Sequence, residues 1–480
     1  MDRREFLKGT FWMGATAAAA GCMSEGFHLA DGGPMATYAD KPLRKLRVGI
    51  VGLGRGQAGV KGFNAIPGNE IVAVADLNEH RRRVTVEACV KAGRPKPRVY
   101  SGAEDWKRMC EADDIDLIYN ATPWALHVPI ALYAMEHGKH VVIEVPSAFT
   151  VEECWQLVET SERTRRHCMQ LENCCYGEAE MLALNLVRQG VLGDIVHGEG
   201  AYIHDLRTYN YGEFKPGVPG AGDGYWNYWR LRHNVKHGGN QYTTHGLLPV
   251  MQYMNVNRGD RFDFLVSVDS RQSNFEAYAR AAFAAGEWQH DLKVGMGDMN
   301  TSIIRTVKGR TIMLQHDVSS PRPYTRLNRV TGTKGILEGI AFPGEWGGSG
   351  CPVRFGWEEK PGAGVHSFFD EEKAKAMRAQ YRHPLWKLAG ELAQKLGGHG
   401  GMDFLMVLRL SYCLQNGLPL DMNVYDLAAS CCLCELSEKS AANRGRSMDI
   451  PDFTRGAWET VAPLGIESVD LSKLGDGMSV

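Results

Sequence analysis

Between Leu46 and Asp76 the chain spells a strand, a glycine turn and a second strand, an order that few folds accommodate. Arg47-Val48-Gly49-Ile50-Val51 is a short β-branched run that stops at Gly52-Leu53-Gly54-Arg55-Gly56-Gln57-Ala58-Gly59. A second apolar run, Ile71-Val72-Ala73-Val74-Ala75, ends on Asp76. A parallel strand that breaks into glycines and then a helix N-terminus offers free backbone N–H groups to a pyrophosphate. Glycine is needed there because any Cβ would hold the backbone off the phosphates. An acid about 20 positions further on, at the tip of the second strand, accepts both ribose hydroxyls of NAD and repels a 2′-phosphate. Asp76 stands at that tip. Two registers compete: Gly52/Gly54 lies nearest the strand end but leaves Gln57 in the third glycine's place, and Gly54/Gly56/Gly59 has the spacing but starts late. We read the loop as one residue longer than usual, with Arg55 and Gly56 over the phosphates.

The first residues read as an address. Arg3-Arg4-Glu5-Phe6-Leu7-Lys8 and an alanine-rich stretch to Ala20 form the pattern of a twin-arginine export signal. The stretch is too short and too weakly apolar to span a bilayer. Ala19-Ala20-Gly21-Cys22 permits a lipid on Cys22, although leucine is usual where Ala19 stands. A protein that loads its dinucleotide in the cytoplasm and then crosses folded suits this route, and places the mature chain in the periplasm or at the cell envelope. Residues 1–22 are the signal, residues 23–42 an uncompacted linker, residues 43–177 the dinucleotide-binding domain and residues 178–480 a second, substrate-binding domain. With 54 basic and 56 acidic residues the net charge of −2 gives no electrostatic reason to expect nucleic acid. Among the 12 cysteines no second C-x-x-C accompanies Cys431-Cys432-x-Cys434, whose side chains point different ways in a likely helix, so buried free thiols are expected and a metal site is not.

From Leu46 strands and helices alternate. Asp116 to Pro123 is a buried strand running into a turn, Ala125 to His137 a helix, His140 to Glu144 a strand, Val151 to Arg166 a helix and Cys168 to Asn173 a strand. This is the α/β pattern of a doubly wound parallel sheet, whose strand ends would carry Asp76, Thr122-Pro123-Trp124, Glu144-Val145-Pro146 and Asn173. After about residue 178 the pattern becomes α+β. Alternating segments at Val196–His204, Phe262–Asp269, Asn300–Val307, Arg310–Val318 and Arg329–Gly332 predict a largely antiparallel open sheet. Helices follow at Leu385 to Leu396, Asp403 to Asn416 and Tyr425 to Ser440.

The second domain also carries Tyr225-Trp226-Asn227-Tyr228-Trp229-Arg230 and His237-Gly238-Gly239-Asn240-Gln241-Tyr242-Thr243-Thr244-His245-Gly246. Aromatic faces stack on sugar C–H bonds while an arginine fork holds hydroxyls. Tyr242 and His245 share a face if the run is helical, and a neutral histidine is the commonest general base near neutral pH. Gly238-Gly239 points to a turn that opens on a cavity. A core aromatic cluster with a structural histidine is the competing reading.

These residues resemble a family. The strand–glycine–strand half, the Thr122-Pro123 turn and the Glu144-x-Pro146 turn look like the glucose–fructose oxidoreductase and inositol dehydrogenase family. Those dehydrogenases carry a lysine inside the Glu-x-Pro turn for proton transfer; here Val145 can neither hold a charge nor move a proton. Glu-Val-Pro, the Tyr-x-x-His of Tyr242 and His245, Trp229-Arg230, the Pro323-Tyr324 loop and the twin-arginine leader resemble the subgroup of NAD-dependent α-N-acetylgalactosaminidases, glycoside hydrolase family 109. The resemblance implies that Gly52, Gly54, Arg55, Gly56, Asp76, Trp124, His127, Glu144, Val145 and Asn173 hold NAD. It implies that Tyr202, Arg230, Tyr242, Thr243, Thr244, His245 and Tyr324 line the sugar site, with His245, Tyr242 and Tyr324 in proton traffic. The partner is then a glycan ending in N-acetylgalactosamine, and the chain is expected to form a homo-oligomer. Direct displacement at the anomeric carbon needs two carboxylates about 5–9 Å apart, and the motifs place no such pair. NAD⁺ opens another route, in which hydride leaves sugar carbon 3 and the ketone acidifies the hydrogen on carbon 2. A base takes that proton, the aglycone leaves carbon 1, water adds and the hydride returns. Two other readings are an exported sugar dehydrogenase of the same fold, which Val145 disfavours, and a non-catalytic NAD-containing sugar-binding protein.

Overall fold

The computed structural model describes residues 33–212, 224–339, 353–475 and 478, so the export signal, Cys22 and the first part of the expected linker lie outside the described residues. Strands β1 (Leu46–Val51), β2 (Asn69–Ala75), β3 (Arg98–Tyr100), β4 (Leu117–Asn120), β5 (His140–Ile143) and β6 (Cys168–Gln170) pair in the order β3-β2-β1-β4-β5-β6. Every pairing is parallel. The central strands are buried on both faces, which is why they read as unbroken apolar runs instead of alternating ones. Helices α1 (Gln57–Ala65), α2 (Glu79–Lys91), α3 (Asp105–Glu111), α4 (His127–Glu136) and α5 (Val151–Thr164) make the crossovers. A reciprocal capping box of Thr150 and Glu153 fixes the start of α5.

Helix α6 (Glu178–Arg188) leads into the second sheet: β7 (Ile195–Ile203), β8 (Phe262–Asp269), β9 (Asn300–Thr306), β10 (Thr311–Asp317), β11 (Arg329–Gly332), β12 (Gly335–Gly339), β13 (Val353–Trp357) and β14 (Met448–Asp449). Their order is β13-β12-β11-β7-β10-β9-β8-β14, antiparallel except for β7 beside β10. The long excursion between those two strands lets them run the same way. It carries α7 (Arg207–Tyr211), α8 (Trp229–Lys236), α9 (Thr244–Met254) and the antiparallel pair β8–β9, with α10 (Asn274–Ala282) between its strands. After the sheet come α11 (Glu371–Tyr381), α12 (Pro384–Leu396), α13 (Met402–Asn416), α14 (Val424–Cys431) and α15 (Leu433–Ala442). The single helix expected over Tyr425 to Ser440 is two, meeting at Cys432.

Two expectations need correcting in space. Two of the last helices also reach the first domain: α13 packs on α1 and α14 on α5, with the Asn69 amide donating to Ser411 Oγ at 2.8 Å and Gln170 to Ser430 Oγ at 3.2 Å, while α15 stays on β8. The described end of the expected linker, residues 33–42, is also not uncompacted. Met35 is buried with its N–H on the Tyr425 hydroxyl, Tyr38 donates to the Arg165 carbonyl, and Asp40 sits between Arg166 and His140. Two apolar side chains and one carboxylate suffice to pin a segment whose composition looks loose. Each of the ten cysteines among the described residues is buried and free of disulfide. No described helix is long and apolar enough to cross a membrane.

Candidate active site

A cavity of about 780 Å³ lies between the carboxyl ends of the parallel strands and the α8–α9 region of the second domain. Gly52 turns the chain at the tip of β1 with φ +87°, and a Cβ there would lie 2.4 Å from the Ala121 carbonyl oxygen. The Leu53 N–H then donates to Asp76 Oδ2 at 2.6 Å and the Asn78 N–H to Oδ1 at 2.7 Å, so the acid is oriented by the loop it faces. Helix α1 starts at Gln57 with Gly56 at its N-cap and no side chain capping it. Its first turn is closed by backbone, the Gln57 and Ala58 N–H groups donating to the Gly54 and Arg55 carbonyls at 3.4 and 3.1 Å. Gln57 takes the third glycine's place and donates to Thr85, while Gly59 makes the close contact with the Tyr119 ring. The turn and the strand-tip acid fit a dinucleotide.

Every residue expected to hold the cofactor lines this cavity except Gly56, which lies behind the loop. Arg55 places Nε 3.6 Å from Glu144 Oε1 and Nη2 3.2 Å from Asp403 Oδ2. Glu144 also accepts from the buried Tyr119 hydroxyl. The Trp124 indole donates to the Val145 carbonyl at 3.3 Å. His127 is a strut in the wall: its ring nitrogens lie 2.8 Å from the Pro146 carbonyl and 2.9 Å from that of Thr122. Burial pushes its pKa down to about 4, so the neutral ring donates to one carbonyl at a time.

The half of the cavity expected to take the sugar depends on one backbone contact. A Cβ on Gly200 would lie 1.9 Å from the Gly246 carbonyl oxygen, so only paired glycines let α9 sit this close on β7. That approach brings Tyr202 of β7 flat against Tyr242, centroids 4.3 Å apart, and edge-on to His245 at 5.3 Å. Tyr242 precedes α9 and does not share a helical face with His245. A turn pinned by the Asn240 side chain on the Tyr242 N–H delivers its hydroxyl to 3.5 Å from His245 Nε2. Buried Arg230 donates to the Tyr225 hydroxyl at 2.9 Å, with its guanidinium 5.0 Å from the Trp124 ring and 4.9 Å from that of Tyr242. Its Nε–H is buried and has no hydrogen-bond partner among the described residues, while other atoms of the side chain line the cavity.

Three expected sugar residues stand elsewhere. Thr243 turns its hydroxyl away to the Ser430 carbonyl at 2.7 Å, and Thr244 is buried beside it, neither lining the cavity. Tyr324 stands behind Tyr202 and outside the lining, its hydroxyl accepting from Arg326 at 2.9 Å. The Gly238-Gly239 turn faces α15, against the backbone of Glu438, and does not open on the cavity.

Sequence reasoning missed Glu172. Its Oε1 accepts from His245 Nδ1 at 2.7 Å and from the Cys174 N–H at 2.9 Å. Burial opposes its charge, but His245 and the Cys174 N–H outweigh that and hold the carboxyl below its ordinary value. An ionised Glu172 fixes the proton on Nδ1 and leaves Nε2 as the basic nitrogen beside the cavity. A carboxylate closing an otherwise apolar strand was the available signal. Glu172, Cys174 and His245 also place metal-type donor atoms within 4.8 Å of one another, but the His245–Glu172 hydrogen bond already satisfies two of them. Asp403 and His399, from the far end of the chain, were missed as well.

A nucleotide-cradling parallel sheet joined across a cavity to an open mixed sheet defines an NAD-binding oxidoreductase fold. Residues 46–171 match the oxidoreductase family with NAD-binding Rossmann fold, and residues 176–460 match the C-terminal domain of glycosyl hydrolase 109. The chain belongs to glycosyl hydrolase family 109, and its cofactor is NAD. It is 47% identical over 426 residues to a glycosyl hydrolase family 109 protein of Porphyromonas gingivalis, covering 87% of this chain and 86% of that one. It is 44% identical over 422 residues to an alpha-N-acetylgalactosaminidase of Bacteroides fragilis, covering 88% and 95%. Among solved structures, levoglucosan dehydrogenase in complex with NADH and levoglucosan superposes with a TM-score of 0.61 at 19% identity, covering 85% of this chain and all of that one, a likeness of fold.

Proposed function

We propose that this glycoside hydrolase removes terminal α-linked N-acetylgalactosamine by transient oxidation of the sugar ring. Bound NAD supplies a hydride acceptor at ring carbon 3 and later returns the hydride, so none is consumed. His245 is the base, its Nε2 freed by the Glu172 bond on Nδ1. It takes the proton from the carbon 3 hydroxyl or from carbon 2. Tyr242, 3.5 Å from that nitrogen, is its partner in proton traffic, with Tyr324 in support behind Tyr202. Arg230, a guanidinium lining the cavity among the aromatic rings, orients the sugar. The observation that carries this reading is the Glu172–His245–Tyr242 line at the junction of the two halves of the cavity. The carboxylates around it are committed: Asp76 to two loop N–H groups, Glu144 to Tyr119 and Arg55, Glu172 to His245. That leaves no free pair for direct displacement among the described residues lining the cavity.

The twin-arginine leader supports export with cofactor aboard, to the periplasm or to a lipid anchor on Cys22. Cell fractionation and mass measurement of the mature N-terminus test the address. The test of function is aglycone release from a panel of α- and β-linked hexosaminides with no cofactor added. The reading predicts release from the α-N-acetylgalactosaminide without growth of reduced-nicotinamide absorbance. Stoichiometric absorbance growth with added NAD⁺ and no aglycone release would instead favour a dehydrogenase.

A further inference from the structure

We infer that Asp403, with His399 above it, is the clasp by which the C-terminal helices hold the cofactor against exchange. Asp403 lies in the first turn of α13 and is buried, yet its carboxylate reaches across to the nucleotide side of the cavity. One oxygen accepts from the Asn173 amide at 2.5 Å; the other lies 3.2 Å from Arg55 Nη2 and 3.0 Å from His399 Nδ1. A single carboxylate therefore sets the side chains of two residues lining the cavity from opposite ends of the first domain. Asn173 directly follows Glu172, which orients His245, so the same anchor steadies the strand tip behind the base.

The rest of the feature is a strap. His399 lines the cofactor cavity and also a neighbouring one of about 230 Å³ walled by Arg55, Gln57, Lys61 and Asp403. It stands in Gly397-Gly398-His399-Gly400-Gly401, where all five residues have positive φ, from 45° at His399 to 106° at Gly401. A Cβ on Gly398 would lie 2.8 Å from Asp403 Oδ2, so the strap can close on the carboxylate only through glycine. The strap comes from the second domain and seals the edge of a loop belonging to the first. Arg55, Asn173 and His399 all line the cavity, so opening it at this edge would break the Asp403 contacts. The inference rests on the reading above, in which one NAD serves many turnovers. It adds that retention is the work of residues about 350 positions from the glycine loop.

The full-length protein is purified as wild type, Asp403→Asn and His399→Ala. NAD released on denaturation is counted per chain, and the dissociation rate is followed by trapping freed NAD with a cycling enzyme. Wild type is expected to keep a near-stoichiometric complement, Asp403→Asn to release NAD at least tenfold faster, and His399→Ala to fall between. An Asp403 that only braces the fold would lower the melting temperatures of apo and NAD-loaded protein equally, whereas the clasp predicts that the gap between them narrows. Unchanged or slower release in a folded Asp403→Asn, or a wild type that sheds its NAD on gel filtration, overturns the inference. If Asp403→Asn does not fold, wild-type release by His399→Ala overturns it. These readouts need no sugar, so the clasp can hold while the proposed substrate fails, and the reverse.

Discussion

The nucleotide half of the cavity is drawn mainly from one continuous stretch of chain, Gly52 to Asn173, and its groups sit at the tips of neighbouring parallel strands. The sugar half is gathered from scattered places: Tyr202 on β7, Arg230 on α8, Tyr242 in a turn and His245 at the start of α9. In the first, backbone geometry does the binding, and position along the strand decides which residue faces the ligand. In the second, side chains do it, and they meet only because β7 and α9 touch backbone to backbone at Gly200 and Gly246. Glu172 crosses the division, since it grows from the nucleotide sheet and serves the sugar-side histidine. The two halves of the cavity are therefore tied together, because a strand tip of one domain holds a histidine of the other.

Substitutions that separate the halves should separate two readouts, bound NAD and aglycone release. His245→Ala is expected to cut kcat by roughly 10⁴-fold, the upper range for a lost general base, while NAD per chain stays at the wild-type level. Glu172→Gln preserves shape but removes the charge that fixes Nδ1–H, for a loss on the order of 10³-fold, again with NAD retained. If Glu172→Gln loses NAD in proportion to activity, the carboxylate belongs to the nucleotide half. Gly52→Ala should do the converse. Its Cβ meets a backbone carbonyl and its φ suits glycine, so about 1–3 kcal/mol of strain should appear as about tenfold or greater loss of NAD.

The Glu172–His245 pair also carries a pH signature. The folded carboxyl is held below its ordinary value, with burial opposing and His245 prevailing. Its stabilising contribution is therefore complete above the unfolded pKa of about 4.3 and lost as pH falls through the lower, folded value. Thermal melts should show an acid limb in wild type that flattens in Glu172→Gln. The smallest effect belongs to Thr243→Ala. It removes only the hydroxyl bond to the Ser430 carbonyl, so about 1 kcal/mol of stability should go with kcat/KM unchanged.

The same division explains what could be read from the amino acids alone. The parallel sheet and the placement of Asp76, Trp124, Glu144 and Asn173 follow from apolar runs and the residues that end them, which are local signals. His245 and Tyr242 were visible as types in a glycine-flanked run, but the turn that joins them was not, because the Asn240 side chain that shapes it leaves no periodicity. Thr243 was credited to the sugar by its neighbours; only packing against α14 decides which way a buried threonine points. Asp403 and His399 lie on a helix start that reads as ordinary α13 boundary, and their part depends on α13 folding back over α1. The parallel pair β7–β10 was hidden for the same reason, since strand direction depends on where a long connection returns.

The central claim is that scission is an elimination begun by proton removal at ring carbon 2. Wild-type enzyme with its own NAD is run to completion on an α-N-acetylgalactosaminide in D₂O, and the freed sugar is examined by NMR and mass spectrometry. The account predicts one solvent deuterium at carbon 2, with no net reduced nicotinamide. Free N-acetylgalactosamine that keeps its original hydrogen at carbon 2 would contradict it.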